Sequence, residues 1–441
     1  MIDESFQSSA TSQCLGKYRI CVLMSQSAID MPLSVKAPDI KSRCVAPIFA
    51  ALLCLCGSQA FAALTAGQIA AARKAAEQGD AMAQSNLGVL YELGKDVPKD
   101  EAEAVKWYLK AAVQGLAVAQ VNLGMCYSCG KGVAKDEAEA VKWYRKAADQ
   151  GLAIAQFNLG KCCEDGVGLP KDAVDAVKWY KKAADQSYPS AQYEIGLRYV
   201  SGQGMPKDDA EAFRWFHKAA DQGYDKAQFN VGYFSNIGRG VARNDAEAVK
   251  WYRKAADQGF AKAQGNLGHC YAEGEGVTKD EAEALKWYRK AADQGSVAGQ
   301  FNLGGCYTYG RGVPKDDVEA LKWYRKAAAQ GEVNAQYCLG YCLVQGQGVE
   351  RNYAEALKWS ERAANQGYAA SQFIVGVLYS KGQGAPRNLV SAYKWWSIAA
   401  TAGNADAAKS IGILSKSMTV LEVAKAQLEV KVWKPKMELD P

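Results

Sequence analysis

Residues Ala263–Gly295 read AQGNLGHCYAEGEGVTKDEAEALKWYRKAADQG, two helices with a stop after each. In the first, Gln264, Leu267, Gly268 and Tyr271 fall on one side, and Gly274 ends it as a left-handed C-terminal residue would. Asp280 is a good N-cap, and Glu283 three residues on predicts a capping box at the start of the second helix. Ala284, Trp287, Tyr288, Ala291 and Ala292 give that helix an apolar face, Lys286 and Lys290 give it a wet one, and Gly295 stops it.

The same pattern recurs in both directions along the chain. Tryptophan stands at 107, 143, 179, 215, 251, 287, 323, 359 and 395, always 36 residues apart. Glycines from Gly88 to Gly412 and from Gly94 to Gly382 keep the same step, without insertion or deletion. Gly88 lies inside helix A, where glycine costs about 1 kcal/mol against alanine. Its recurrence predicts that two helix backbones pass close there. The glycine that ends helix B, as at Gly115 and Gly151, recurs in every unit except at Ser187.

One such hairpin cannot bury its own apolar face, but stacked hairpins can, through nearest-neighbour interfaces. The predicted fold is therefore all-α, an α/α superhelical solenoid of 36-residue helix-turn-helix repeats. Residues 80–403 hold nine repeats, 63–79 an N-terminal capping helix and 404–441 the C-terminal capping helices. The last helix is expected to pack through Leu421, Ala424 and Leu428, with Trp433 sealing the end.

Residues 1–62 are read as an extension and a cleavable export signal. Lys36, Lys41 and Arg43 form a positive region, Val45 to Cys56 an apolar run too short to span a bilayer, and Ala60-Phe61-Ala62 a cleavage site. Met31, immediately upstream, is the expected translation start, with Met24 as the alternative. A periplasmic or secreted location follows from this reading, with no stable membrane insertion after cleavage. The whole sequence of 441 residues has 53 basic against 47 acidic side chains, which offers no basic patch for nucleic acid.

The unit Ala-x-x-x-Leu-Gly-x-x-Tyr-x-x-Gly-x-Gly-Val-x-x-Asp-x-x-x-Ala-x-x-Trp-Tyr-x-Lys-Ala-Ala-x-Gln-Gly, plain at Ala119–Gly151 and Ala263–Gly295, resembles the Sel-one-like repeat (SLR), a relative of the tetratricopeptide repeat. The resemblance covers roughly residues 80–415. It implies a right-handed superhelix of antiparallel helix pairs, helix A on the concave face, and an adaptor role, in bacteria often exported. The partner class is then a protein or an extended peptide segment, the chain a monomer, and no cofactor or metal is expected. Some SLR proteins tie helix A to helix B by disulfides; helix B here has no cysteine after the signal.

Catalytic signatures are sparse. Of two histidines, His217 sits at a solvated basic position and His269 at a variable one, and neither has a partner constellation. Ser128-x-x-Lys131 matches the spacing of a penicillin-interacting serine, which defines the rival reading, an envelope hydrolase of β-lactamase type. Cys126, Cys162, Cys270, Cys306 and Cys342 share one late position in helix A. Successive copies should lie about 9–10 Å apart, beyond the roughly 7 Å a disulfide spans, so these read as structural thiols. Cys126-x-x-Cys129 leaves a local bridge open.

The candidate binding surface is a stripe of helix A. Asn86, Asn122, Asn158, Asn230, Asn266 and Asn302 repeat at one position, replaced by Glu194, Cys338 and Ile374 in the other units. Asparagine forms helices poorly but both donates and accepts hydrogen bonds. Aromatic residues stand beside it, with Phe157, Tyr193, Phe229 and Phe301 chosen as partner-binding. An amide ladder of this kind suits the backbone of an extended peptide, and it equally suits packing between helices. The stripe is expected to point away from the packed face.

Overall fold

Each helix of the repeat carries its own start and stop, and the chain folds accordingly. The computed structural model describes residues 65–436; the extension, the signal and its cleavage site lie outside the described residues. Among the described residues there are 21 α-helices, one short 3-10 helix and no strand. They fall in two compact units, one ending at Asn244 and one beginning at Asp245.

The first unit holds α1 (Ala66–Glu77), α2 (Ala81–Leu93), α3 (Glu101–Val113), α4 (Ala117–Cys129), α5 (Glu137–Asp149), α6 (Ala153–Asp165), α7 (Ala173–Asp185), α8 (Pro189–Ser201), α9 (Asp209–Asp221) and α10 (Asp225–Ile237). The second holds α11 (Asp245–Asp257), α12 (Ala261–Glu273), α13 (Glu281–Asp293), α14 (Val297–Tyr309), α15 (Asp317–Ala329), α16 (Val333–Gln345), α17 (Tyr353–Asn365), α18 (Ala369–Lys381), α19 (Leu389–Thr401), α20 (Ala405–Leu414), the 3-10 turn Ser415–Ser417 and α21 (Val420–Val432). From α2 to α20 the even helices are A and the odd ones B. Within each unit every helix packs on the next in sequence, except that α21 folds back onto α19, as a stack stabilised by neighbours requires.

Three expectations are corrected in detail. The first concerns the capping boxes. Asp100, Asp136, Asp280 and Asp316 each accept the backbone N–H three residues on at 2.9 Å. The returning half is not made. Glu103, Glu139, Glu283 and Glu319 accept instead from Lys106, Lys142, Lys286 and Lys322, one turn on. A lysine at i+3 offers a full charge to the same carboxylate. Among the described residues, complete boxes form at Thr65/Gln68 and Thr419/Glu422, where the N-cap is threonine.

The second concerns Gly88 and its copies. A Cβ built on Gly88 would meet the Tyr108 ring at 2.6 Å before it reached the Ala104 carbonyl at 3.2 Å. The same ring-over-glycine contact recurs at Gly124/Tyr144, Gly160/Tyr180, Gly268/Tyr288 and Gly304/Tyr324. The glycine thus makes room chiefly for an aromatic side chain of the following helix B, and only secondarily for a backbone. Lys110, Lys146, Lys254 and Lys290 are exposed, as expected of the wet face, and also lie 3.6–3.9 Å above Trp107, Trp143, Trp251 and Trp287. They lid the tryptophan ladder with their stems and ammonium groups.

The third concerns the C-terminal cap. Leu421 and Leu428 are 80% and 63% exposed, and Ala424 is exposed too; α21 buries Ala426 instead. The helix carries two apolar rows at helical spacing, 421–424–428 and 423–426–430. Periodicity cannot choose between them. The second row runs on into Trp433, which packs edge-on against Trp395 at 6.2 Å, and that anchor sets which row faces α19.

Candidate functional site

Helix A presents three recurring columns. The first was seen in the sequence only as part of a face, and it is the main polar framework. Gln84 donates from Nε2 to the Ala76 carbonyl at 3.0 Å, and its Oε1 accepts from Gln114 at 2.7 Å. The same double bond recurs at Gln120, Gln156 and Gln192 in the first unit and at Gln264, Gln300 and Gln336 in the second. These amides add a second hydrogen bond to a C-terminal carbonyl of the preceding helix that already accepts a backbone N–H, as Ala112 does from Gly115 at 3.0 Å, and so tie the start of helix A to the end of that helix. The signal was available: glutamine recurs at 114, 150 and onward, 30 residues after each helix-A glutamine except Gln372.

The second column is the glycine–tyrosine contact. Where helix A supplies an acceptor beyond the ring, the phenol uses it: Tyr108 donates to Glu92 at 2.8 Å and Tyr180 to Glu164 at 2.6 Å, while Thr308 pairs with Tyr324 at 2.9 Å.

The third column is the asparagine stripe, and it does not point uniformly away from the packed face. Asn86 is exposed, and Asn158 and Asn266 are half-buried. Asn122, Asn230 and Asn302 are buried, at 6%, 9% and 4% exposure. Asn230 hydrogen-bonds the Tyr193 side chain of the preceding repeat. Asn302 Oδ1 is buried with no hydrogen-bond partner among the described residues.

The aromatic residues chosen beside the stripe are engaged with the chain itself. Phe157 packs on Tyr180 and Tyr188 at 5.7 and 5.4 Å, Tyr193 on Phe216 and Tyr224 at 5.6 and 5.3 Å, and Phe301 on Tyr324 at 5.9 Å. Phe229 is buried and stacks on Tyr233 at 6.4 Å. Their faces are spent on packing.

Glu194 takes the asparagine position in the fourth repeat and changes its chemistry. Arg198, buried four residues on, pairs with Glu194 at 3.1 Å and with Glu164 of the preceding repeat, and it donates to Gln203 at 2.7 Å. Lys161 pairs with Glu164 at 3.0 Å. Burial alone would raise the Glu164 carboxyl, but Lys161 and Arg198 outweigh it and hold the carboxyl below its ordinary value. This internally balanced cluster was missed because its members lie one repeat apart.

His269 of α12 stands to Asn302 of α14 in the register in which Lys161 stands to Glu194. Lys161 and Glu194 interact electrostatically. His269 Nδ1 is also buried without a partner among the described residues, and Nε2 faces Glu275 at 3.8 Å. Burial pushes the imidazole below its ordinary pKa, with Glu275 opposing. His217 is partly exposed and pairs with Asp221 at 2.9 Å.

Ser128 and Lys131 do not assemble a nucleophile. The Ser128 hydroxyl hydrogen-bonds Tyr144, and Lys131 faces Glu92 at 3.7 Å. Cys126, Cys162, Cys163, Cys270 and Cys306 are free thiols. Burial pushes Cys126, Cys162, Cys270 and Cys306 up to about 12, which leaves them protonated and unreactive near neutrality. Because Cys126 is a free thiol, the local Cys126–Cys129 bridge does not form. Among the described residues no group of His, Cys, Asp and Glu is placed to hold a metal ion, and no helix is long and apolar enough to cross a membrane.

Comparison with known proteins bears on this geometry. The family model described as Sel1 repeat matches nine consecutive segments, 81–116, 117–152, 153–188, 189–224, 225–260, 261–296, 297–332, 333–368 and 369–404. A protective antigen of uropathogenic Escherichia coli strains that displays an SLR fold is 33% identical, over 84% of this chain and 95% of that one, with a TM-score of 0.49. A Sel1 repeat protein from Oxalobacter formigenes is 28% identical, over 83% of this chain and 94% of that one, with a TM-score of 0.53. No curated protein matches.

Proposed function

The chain belongs to the Sel1 repeat family, whose members are generally helical protein-interaction scaffolds, and from that premise we propose that it is an exported adaptor holding an extended peptide segment against its A helices. One observation carries the reading. In the second unit Asn302 Oδ1 is buried, unpartnered, and in register with the unpartnered Nδ1 of His269. A buried acceptor without a donor costs about 1–3 kcal/mol, and a peptide backbone supplies N–H donors at regular spacing. The aromatic rings beside the stripe form the floor under such a segment rather than stacking on it. Export follows from the order of charge, apolar run and Ala60-Phe61-Ala62 in the N-terminal sequence.

The test is a pull-down of envelope proteins with the mature chain, followed by affinity measurement on the peptide that is captured. Asn302→Leu keeps the side-chain size and removes the orphan acceptor. It should weaken the peptide by about tenfold, the worth of one hydrogen bond, while raising the unfolding midpoint. Unchanged affinity in a more stable variant would assign the asparagines to packing alone. N-terminal sequencing of the exported protein tests cleavage after Ala62.

A further inference from the structure

The glutamine ladder is broken at one place, in the ninth repeat. Position 402 is next in register after Gln330 and Gln366, and it is alanine. Gln372 still donates Nε2 to the Ala364 carbonyl at 3.1 Å. Its Oε1, however, is buried and has no hydrogen-bond partner among the described residues, and the side chain is 1% exposed. It borders a cavity of about 350 Å³ lined also by Gly367, Ile398, Ala402, Val430 and Trp433. The outer wall is the tail after α21, held by the Trp433–Trp395 contact and by Lys436 N–H donating to the Asn365 carbonyl at 2.8 Å.

The intact rungs show what this acceptor is built to take. In seven of them the Oε1 receives a carboxamide N–H at 2.7–2.9 Å. In two, the same amide also donates to a glycine carbonyl, Gln330 to Gly295 at 3.3 Å and Gln366 to Gly331 at 3.4 Å. Gly367 is the next glycine in that series and lines the cavity.

We propose that this cavity binds a small uncharged ligand carrying a primary carboxamide on an apolar body, its –NH2 donating to Gln372 Oε1 and to the Gly367 carbonyl. The body lies against Ile398, Val430 and Trp433. No acidic or basic side chain is among the lining residues, so a charged ligand would be buried unpaired. A carboxylate of the same shape has no donor to give. The volume falls within the range of small-molecule pockets, roughly 300–1,000 Å³. The site is distinct from the asparagine stripe and does not depend on the adaptor reading.

The experiment titrates the full mature chain with benzamide and, separately, with benzoate, read by calorimetry and by the Trp433 indole N–H resonance, assigned through Trp433→Phe. Benzamide should bind and shift that resonance, and benzoate should bind about tenfold more weakly or not at all, the loss of one hydrogen bond. Ala402→Gln rebuilds the missing rung; it should raise the unfolding midpoint and abolish benzamide binding. Ala402→Leu fills the space without a donor and should block benzamide without that stabilisation. No benzamide binding to the wild-type chain, equal binding of benzoate, or benzamide binding retained in a folded Ala402→Gln chain would each overturn the assignment.

Discussion

Two glycines in α12 separate the physical roles that the repeat assigns to this residue. Gly265 and Gly268 lie on the same helix, three residues apart. A Cβ on Gly265 meets nothing within 4 Å. A Cβ on Gly268 meets the Tyr288 ring at 2.8 and 2.9 Å and the Ala284 carbonyl oxygen at 3.2 Å. Carbon atoms prefer about 3.5–4.0 Å, so the ring would have to retreat by roughly 0.7–1 Å. Tyr288 is fully buried and has nowhere to go. Gly265→Ala should therefore stabilise by about 0.5–1 kcal/mol through helix propensity. Gly268→Ala gains the same propensity but overpacks the core at a cost of about 1–3 kcal/mol, for a net loss of up to about 2 kcal/mol. In a Tyr288→Ala background the clash is gone, and Gly268→Ala should turn stabilising. Urea denaturation followed by circular dichroism reads the wild type and the four variants, Tyr288→Ala alone included. If both glycine changes move the midpoint in the same direction, or if the sign at Gly268 does not reverse without the ring, the ring-over-glycine account is wrong.

Gln264→Leu removes one buried and one part-buried hydrogen bond at nearly constant volume; it takes the Gln264 acceptor from the Gln294 amide and leaves the Ala256 carbonyl with its bond from Gly259 N–H alone. It should cost about 1–3 kcal/mol, measured as a loss of midpoint in the same denaturation. Ser187 holds φ 61°, where the equivalent glycines hold 83–97°; Ser187→Gly should stabilise by about 0.5–2 kcal/mol after the unfolded-state entropy of glycine is subtracted. His269 has its pKa lowered by burial. The unfolded chain then takes up a proton before the folded one does, so this residue's stabilisation is present above the ordinary histidine value, about 6.5, and is lost as pH falls through the folded pKa. His269→Gln should flatten stability against pH in that window, and proton NMR of the imidazole should titrate below the free value; titration above it would refute the burial argument.

Repeat length, helix order, stops and the tryptophan core were legible in the chain alone, because each depends on local chemistry repeated in register. Asp100 caps a helix wherever it precedes one, and nine copies of Trp107 at constant spacing leave one consistent packing pattern. The candidate site was less legible. Asparagine at position 86 and its copies could be found as a column, but not divided into exposed Asn86, bonded Asn230 and orphaned Asn302, since that depends on which neighbour each helix A receives. The Glu164–Arg198 pair spans 34 residues and has no local signature. Of the two apolar rows on α21, both satisfy helical periodicity, and only the docking of Trp433 on Trp395 chose one. The open acceptor of Gln372 has the same origin. A single alanine at position 402 looks like any other change in a helical repeat, and it becomes a cavity with an unmet hydrogen bond only when α18, α19 and the C-terminal tail are folded around it. Local chemistry is additive along the chain, whereas burial and partnership are properties of pairs brought together by folding.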